Sequence, residues 1–306
     1  MRPFRLGLVG AGRMGRTHLR ALSDSDVVRV VGVVEPSESA RAAMVGMDVA
    51  VHSDVAAMLR AGDVDGVLIA APSSLHLRLV TDVASAGLPI LCEKPCGVSA
   101  NEAREAAAIA ERHGVKLQVA YWRRFAPSLQ RLRQRIVDGD LGALYFLACY
   151  QWDGEPPPAA FRANSGGIFV DMGVHEFDQI RWLSGQEFST IHAAAVSVAG
   201  EQPIPGDAES AQVLCTLSGG STALVSLGRC FPLGDVCRVE VFGTRDAEDC
   251  RFLWPPNGEA VFLQALRRQA EGFAHWVRGG VAVGASAADA VAALAAAEQA
   301  SAVLRR

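Results

Sequence analysis

A glycine-rich turn near the start of the chain limits what this sequence can fold into more than any other feature. Residues 4–10 (FRLGLVG) are apolar and of strand length, and residues 14–22 (MGRTHLRAL) follow with helical spacing. Gly10, Gly12 and Gly15 occur here in the order GxGxxG. In a strand–turn–helix unit such glycines allow a tight turn, a close approach of the backbone to a pyrophosphate, and close packing of helix on strand. The motif alone is weak evidence, because glycine-rich turns also occur where only packing requires them.

The first 120 residues alternate between strand-like and helix-like runs. Residues 27–35 (VVRVVGVVE) form a continuous β-branched run, as expected of a strand covered on both faces. Residues 99–114 predict a helix, with Ser99 and Glu102 at capping-box spacing and a glycine at the end. This alternation indicates βαβ units, so we predict an α/β domain with a doubly wound parallel sheet over 1–120. The other predicted strands are 49–53, 65–74, 88–95 and 116–121.

The pattern changes after about residue 121, where longer strand-like runs replace the alternation. Turn signals such as SGG and GTRD join some of these runs, which indicates antiparallel pairing. We therefore predict a second, α+β domain over 121–306. Its Ala-rich end, 285–306, is strongly helical in propensity and is expected to pack back on the body. The predicted strands of this half lie within 143–151, 190–198, 211–230 and 237–246.

Composition places the chain among folded globular proteins of about two domains. It has 306 residues, of which half are hydrophobic and a fifth are charged, enough for two cores at ~150 residues per domain. The net charge of −4 comes without a basic run, so nucleic acid is not expected as a partner. No apolar run reaches the ~18 residues of a membrane span, and the N-terminus lacks the apolar core of a secretory signal. We predict a cytoplasmic protein without a membrane partner.

The cysteines suggest neither a disulfide framework nor a metal site. There are seven of them, an odd number, and no CxxC pair. We expect reduced, mostly buried thiols, with Cys92 and Cys96 as small fillers beside Lys94. No clustered spacing of His, Cys and Asp calls for a metal ion, so none is predicted.

The acid at the end of the second predicted strand bears on the choice of nucleotide. Glu35 stands 20 residues after Gly15, where a carboxylate can accept both hydroxyls of an adenosine ribose and repel a 2′-phosphate. This predicts a dinucleotide site for NAD in preference to NADP. Arg13 and Arg41 are open alternatives, because either could offset Glu35 and admit the phosphate. Glu35 could also be a plain solvated carboxylate.

Four motifs in order resemble one protein family. They are GAGRMG at 10–15, APSSLH at 71–76, EKP at 93–95 and GGIFVDMGVHEFDQIRWL at 166–183. Together they are similar to the Gfo/Idh/MocA oxidoreductases, and most of all to inositol dehydrogenases and related sugar or cyclitol dehydrogenases. The resemblance implies an NAD-binding Rossmann domain, then an α+β domain with a large, mostly antiparallel open sheet. It also implies a homodimer or homotetramer that associates through that sheet.

The resemblance further implies hydride transfer between a secondary hydroxyl of a sugar or cyclitol and the nicotinamide. Lys94 would stabilise the alkoxide from the carboxyl end of a parallel strand, where ligands of such sheets bind. Asp171 and His175 are four apart, which on a helix places them on one face. His175 would then be the general base and Asp171 its support. The alternatives are a solvated lysine and an ordinary surface Asp–His pair.

Further site residues are implied by the matched motifs. Gln151 and Asp153 match positions that contact polyol hydroxyls, and His76 matches a histidine near the cofactor, with helix surface as its alternative. The residues assigned to the cofactor are Gly10, Gly12, Arg13, Met14, Gly15, Glu35, Ala71, Ser73, His76 and Glu93. Those assigned to the substrate are Trp122, Arg123, Gln151 and Asp153. The histidines without such context, interpreted as ordinary surface residues or as core residues with satisfied hydrogen bonds, are His18, His52, His113, His192 and His275.

Two departures from the family pattern concern the substrate. Inositol dehydrogenases often have a tyrosine before the strand VEVFG, whereas this chain has Asp235 near that place and no tyrosine. APS also replaces the usual Thr-Pro. These changes put myo-inositol itself in doubt, but they leave the redox chemistry in place.

Two rival functions use the same fold. Some relatives oxidise a sugar transiently, eliminate or hydrolyse a bond, and return the hydride, so the cofactor would stay bound through turnover. A non-catalytic regulator would sense NAD or sugar, and we would expect it to lose the Lys/Asp/His set. This chain keeps all three residues.

Overall fold

The computed structural model describes residues 2–44, 46, 48–196, 204 and 206–303. The chain divides into two compact units. The first comprises Met1–Trp122 and Leu263–Val291, and the second comprises Arg123–Phe262 and Ala292–Arg306. The predicted change of fold near residue 121 lies next to the division after Trp122. The structure differs in assigning 263–291 to the first unit, because apolar residues of that stretch fill the core of the first sheet.

The first unit is built on a doubly wound parallel sheet. Within the described ranges it has seven strands in the order β13-β6-β5-β4-β1-β2-β3, and only β13 runs antiparallel to its neighbour. The strands are β1 (Phe4–Val9), β2 (Val28–Val34), β3 (Ala50–His52), β4 (Gly66–Ile69), β5 (Ile90–Cys92), β6 (Leu117–Val119) and β13 (Ala285–Ser286). The helices of its N-terminal part are α1 (Arg13–Leu22), α2 (Glu38–Ala42), α3 (Val55–Ala61), α4 (His76–Ser85) and α5 (Ala100–Arg112).

The central strand β1 is apolar throughout because helices cover both faces of the sheet. Phe4, Leu6 and Leu8 are at most 1% exposed and belong to one core cluster. Phe273, from a helix late in the chain, enters the same cluster and meets Phe4 edge to face at 6.0 Å between ring centroids. The late segment therefore completes this core. Its contribution could not be read from the sequence, since a helix period does not say which sheet the helix covers.

The second unit is built on a six-stranded sheet in the described part of the chain. The strand order is β12-β11-β7-β10-β9-β8, and all pairs are antiparallel except β7 with β10. The strands are β7 (Leu144–Trp152), β8 (Phe188–Val196), β9 (Ser210–Leu217), β10 (Thr222–Gly228), β11 (Val236–Gly243) and β12 (Ala247–Leu253). The α-helices that follow α5 in the described residues are α6 (Pro127–Val137), α7 (Ala159–Arg162), α8 (Val174–Ser184), α9 (Gly258–Val277) and α10 (Ala287–Val303).

Helix α8 is the buried centre of this unit. Its residues 174–180 are all buried, and Phe177, Ile180 and Leu183 are 0% exposed. A π-helical segment, Phe169–Gly173, leads directly into it. Such segments often mark functional sites, because the wider turn re-aims side chains. The surrounding core therefore holds the first turn of α8 in place.

The observed bounds refine several of the predicted elements. The run 211–230 is the hairpin of β9 and β10, and β12 follows the turn GTRD. The strand predicted at 190–198 is observed to Val196, and residues 197 and 198 lie outside the described residues. The helix predicted at 285–306 begins at Ala287, after the short strand β13, and its residues 304–306 also lie outside the described residues. Among the described residues, no helix has the length and apolar character needed to cross a bilayer.

Candidate active site

The turn after β1 has the shape of a dinucleotide cradle. A side chain at Gly10, whose φ is +99°, would meet the Ala70 carbonyl oxygen at 2.7 Å, and one at Gly15 would clash with the backbone of Gly10. A side chain at Gly12 would meet nothing within 4 Å, so this face of the turn is open. Helix α1 starts here without an acidic residue in its first turn, which leaves the positive end of its dipole available to an anion. The residues present therefore fit a bound dinucleotide.

Glu35 is held in place by the backbone around it. Its Oε2 accepts from the N–H of Ala11 at 3.1 Å, and its Oε1 accepts from the N–H of Ser37 at 2.9 Å. Arg41 donates to the carbonyl oxygens of Glu35 and Pro36, at 2.9 and 2.7 Å. Its guanidinium is therefore engaged with the main chain, which reduces its value as a ligand for a 2′-phosphate. Arg13 is exposed at the start of α1.

His76 joins two loops at the carboxyl end of the sheet. Its ring is buried, with Nδ1 at 2.8 Å from the Pro95 carbonyl oxygen and Nε2 at 2.9 Å from that of Ala71. The sequence left open a place on the helix surface, and the structure excludes it. Ala71 and Ser73 are half-buried in the loop that follows β4. His76 thus fixes the predicted cofactor loop to the EKP segment.

Glu93 and His18 form a buried contact, so of the two places that the sequence left open for His18, surface and core, the structure shows the core. His18 is fully buried on α1, and its Nε2 lies 2.6 Å from Glu93 Oε1. Glu93 Oε2 accepts from the backbone N–H of Lys94 at 3.1 Å. Within the described part of the chain His18 Nδ1 has no hydrogen-bond partner, so the ring is held by the contact of Nε2 with Glu93. Glu93 therefore links α1 to Lys94, and its contact with the cofactor stays a prediction.

Lys94 follows the end of β5, as the sequence predicted, and its side chain is half-buried. The cysteines on either side, Cys92 and Cys96, are fully buried. A hydrogen bond with Cys96, together with burial, raises the pKa of the Cys92 thiol. Both side chains are therefore packed groups, and the Cys92 thiol is held in its protonated form, which agrees with their interpretation as fillers.

Asp171 and His175 lie one turn apart along a continuous helical segment. Asp171 belongs to the π-helical stretch before α8, and His175 is in the first turn of α8. His175 is 6% exposed, and the Asp171 side chain is 13% exposed. The four-residue spacing thus produces the shared face that was predicted for a helix.

Three of the four predicted substrate residues are linked by hydrogen bonds. Arg123 Nη2 donates to Gln151 Oε1 at 2.6 Å, and Gln151 Nε2 donates to Asp153 Oδ1 at 3.3 Å. Arg123 is only 2% exposed, and its Nη1 donates to Glu176 and Gln179. The buried guanidinium therefore fixes the orientation of the Gln151 amide. Trp122, the fourth residue, is buried at the end of the first unit's N-terminal segment.

Two carboxyl groups of this network have pKa values raised above those of ordinary carboxyl groups. Burial raises the pKa of Asp153, and the negative charges of Asp235 and Asp171 raise it further. Burial also raises the pKa of the fully buried Glu176, while the neighbouring Arg123 acts in the opposite direction. Perturbed carboxyls of this kind are concentrated at functional sites. The charge of Asp171 thus acts on Asp153 within one unit.

Arg229 and Glu176 are further residues of this site that the sequence did not single out. Arg229 is fully buried and donates to Asp171 Oδ2 at 2.9 Å. Glu176 offered a signal, since an acid beside His175 within a buried helix needs a partner. Arg229 offered none, because it stands 58 residues from Asp171 in the sequence. Within the described residues no group of three His, Cys, Asp or Glu side chains is arranged to hold a metal ion.

Two family models match the chain, one for each predicted domain. Residues 4–121 match the model described as "Oxidoreductase family, NAD-binding Rossmann fold". Residues 129–247 match the model described as "GFO/IDH/MocA C-terminal domain". These matches cover the cradle and Lys94 in the first case, and Asp171 and His175 in the second.

Similarity to known proteins extends over the whole chain. The rhizopine catabolism protein MocA of Rhizobium meliloti is 53% identical over 306 residues, which cover 100% of this chain and 96% of that protein. The chain belongs to the Gfo/Idh/MocA oxidoreductase family. The inositol 2-dehydrogenase of Rhizobium meliloti strain 1021 is 34% identical over 79% of this chain and 74% of its own. A crystal structure from Sinorhizobium meliloti 1021, provisionally described as a myo-inositol dehydrogenase, has a TM-score of 0.92 at 30% identity and covers 99% and 97% of the two chains.

These matches confirm several predictions. The family, the Rossmann domain followed by a mostly antiparallel sheet, and an NAD(P)-dependent dehydrogenase are confirmed. The coarse function is that of an NAD-binding oxidoreductase of the inositol and sugar dehydrogenase family. The individual site residues, the substrate and the preference for NAD stay predictions.

Proposed function

We propose that this protein is an NAD-dependent dehydrogenase that oxidises a secondary hydroxyl of a sugar or cyclitol. Lys94, Asp171 and His175 carry the chemistry. The observation that supports this most is the Asp171–His175 pair, which a buried helix presents from a π-helical turn with the Asp171 carboxylate bound by Arg229. A carboxylate one turn from an imidazole favours the protonated imidazole that general-base catalysis produces.

Each residue of the set has one role. His175 takes the proton of the hydroxyl, and Asp171 orients His175 and offsets the charge that it gains. Lys94 donates to the same oxygen and stabilises its negative charge as the carbon is oxidised. NAD, when bound along Gly10–Gly15 and Glu35, supplies the acceptor for the hydride. The backbone of Lys94 is steadied by Glu93, which His18 binds in turn.

The polar residues beside the pair support a polyol as the substrate class. Gln151 and Asp153 are adjacent to each other at the end of β7, and Arg123 fixes the amide of Gln151. Amide and carboxyl groups of this kind can each bind a pair of neighbouring hydroxyls, which suits a ring with several of them. Two relatives are named for rhizopine catabolism and for inositol dehydrogenation. We therefore include both compounds among the candidate substrates.

The experiment that tests this function is NADH formation by the purified protein. NAD is offered with a panel of cyclitols, aldoses and uronates that includes inositols and rhizopine, at mildly alkaline pH because the oxidation releases a proton. We expect absorbance to grow with one substrate class. If no panel substrate produces NADH although the protein binds NADH tightly, this would contradict net oxidation of a free polyol and favour an internal redox cycle.

Glu35 is expected to set the preference for NAD over NADP. Replacing Glu35 by Ser removes the carboxylate that would accept the ribose hydroxyls, so the KM for NAD should rise about 10- to 100-fold, as for loss of a charged hydrogen bond. The KM for NADP should fall, because a repelling charge is gone. The matched control is Glu38→Ser, an exposed acid three residues further on. A wild-type ratio of the two cofactors in Glu35→Ser would refute this role.

We also propose that the protein is a homodimer or homotetramer that pairs through the sheet of the second unit. Large apolar side chains stay exposed on three of its strands: Tyr145 at 53%, Val196 at 57% and Leu214 at 53%. Exposed apolar side chains gathered on one sheet are typical of an interface. Light scattering measures the molar mass, and a monomer at micromolar concentration would contradict the proposal.

A further inference from the structure

A fully buried arginine lies behind the proposed catalytic pair. Arg229 directly follows β10, its side chain is 0% exposed, and its backbone N–H donates to the Glu209 carbonyl oxygen at 2.8 Å. Taking a guanidinium out of water is costly unless carboxylates compensate for the lost hydration. The partners of Arg229 therefore show what its charge serves.

Arg229 binds two carboxylates. Its Nη1 donates to Asp171 Oδ2 at 2.9 Å, and its Nη2 and Nε donate to Asp207 Oδ1 at 2.9 and 3.3 Å. The Asp207 side chain is fully buried and also accepts from Arg162 Nε at 2.6 Å. Asp207 thus has a second cation, so its own burial does not require Arg229.

The charges alternate along one series of contacts. Arg162 also donates to Glu209 at 2.6 Å, which gives the order Glu209, Arg162, Asp207, Arg229, Asp171. The side chain of Glu209 is 19% exposed and that of Asp171 is 13% exposed, while the three between them are 6% exposed or less. The series therefore reaches solvent at its two acidic ends, and one of these ends belongs to the proposed catalytic pair.

Gly206, the residue before Asp207, lies against the loop that leads to Asp171. A side chain at Gly167, whose φ is +82°, would clash with the carbonyl oxygen of Gly206, so the two loops touch through bare backbone. The N–H of Asp171 donates to the Gly167 carbonyl oxygen at 2.9 Å. Gly167 therefore contacts the backbone of Asp171 on one side and Gly206 on the other. Arg229 joins the same two places through the side chains of Asp171 and Asp207.

We propose that Arg229 is a positioning residue for Asp171. By its contact with Oδ2, it sets the rotation of the Asp171 carboxylate towards the face shared with His175. Asp207 and Arg162 hold Arg229 in register. This inference rests on the proposed function, because it assigns Arg229 to a reaction that Asp171 and His175 carry.

The test replaces Arg229 by Ala and measures turnover with the panel substrate that forms NADH fastest. We expect kcat to fall about 10- to 100-fold, as for loss of a charged hydrogen bond to a reacting group. The Kd of NADH should not change, because the cradle lies in the other unit. Guanidinium ion, added below denaturing concentrations, should restore part of kcat by occupying the vacated place. Arg181→Ala is the control, because Arg181 pairs with the exposed Glu187 in the same unit. Its kcat should equal that of the wild type, and added guanidinium should not change it.

A second pair of variants separates positioning from plain charge balance. The double variant Arg229→Met with Asp207→Asn removes one positive and one negative charge together. We expect its melting temperature to be closer to that of the wild type than the melting temperature of Arg229→Ala is, while its kcat stays low. Recovery of kcat in this double variant would overturn the proposal, because balance alone would then suffice. Arg229→Lys keeps the charge without the planar fork, and it serves if Arg229→Ala fails to fold: it should fold normally with an intermediate kcat.

The outcome for Asp171 distinguishes failure of the inference from failure of the proposed function. If Asp171→Asn turns over as wild type does, the catalytic assignment fails and the role of Arg229 fails with it. If Asp171→Asn is nearly inactive and a folded Arg229→Lys or Arg229→Ala keeps wild-type kcat, only the inference fails.

Discussion

Replacing His175 by Asn should lower kcat about 10²- to 10⁴-fold, the usual contribution of a general base. Asn fills a similar space and can still form a hydrogen bond, but it cannot take the proton of the substrate hydroxyl. The KM for the polyol should change much less, because the removed interaction acts mainly in the transition state. Steady-state kinetics under saturating NAD gives both constants.

The control for this variant is another histidine of the same unit. His192 is exposed on β8, outside the buried helix α8, and His192→Asn should leave kcat and the melting temperature as they are. Wild-type turnover in His175→Asn would exclude His175 as the base. A polyol KM that rises in proportion while kcat holds would instead assign His175 to binding.

Replacing Glu176 by Ala should destabilise the protein by about 3–5 kcal/mol, the range for breaking a buried ion pair. Glu176 and Arg123 have side chains that are 0% and 3% exposed, and the two are in direct contact. The variant deprives a buried guanidinium of this carboxylate, so the second unit should unfold at a lower temperature. Urea unfolding followed by intrinsic fluorescence measures the loss of free energy.

Two further variants separate the buried pair from an ordinary ion pair. Glu187→Ala breaks the pair of Arg181 with Glu187, whose side chain is 63% exposed, and it should cost at most ~1 kcal/mol. Arg123→Met with Glu176→Met removes both buried charges and should be more stable than Glu176→Ala alone. A loss in Glu176→Ala no greater than in Glu187→Ala would show that Arg123 does not depend on Glu176.

The architecture was predictable because it rests on local periodicity. The alternation over 1–120 and the change of pattern near 121 are each visible in short windows of the sequence, and the structure has the corresponding sheets. The return of 263–291 to the first unit was not predictable in this way. It depends on contacts such as Phe4 with Phe273, which pair residues from opposite ends of the chain.

The site residues that belong to local sequence motifs could be predicted. Those that act through contacts between distant parts of the sequence could not. EKP and the segment 166–183 point to Lys94, Asp171 and His175 directly. The contacts of His18 with Glu93 and of Arg229 with Asp171 were not found, because these partners lie 75 and 58 residues away in the sequence. Charged residues that support a site look like any other His or Arg until the fold brings their carboxylates to them.

The central claim is that a hydrogen on a polyol carbon passes to NAD while Lys94, Asp171 and His175 handle the proton. The most direct measurement uses the panel substrate deuterated at its ring carbons and determines the mass of the NADH that forms. The account predicts NADH that carries one deuterium, formed more slowly than from the unlabelled polyol. Converted polyol with no deuterium in released NADH would contradict the account.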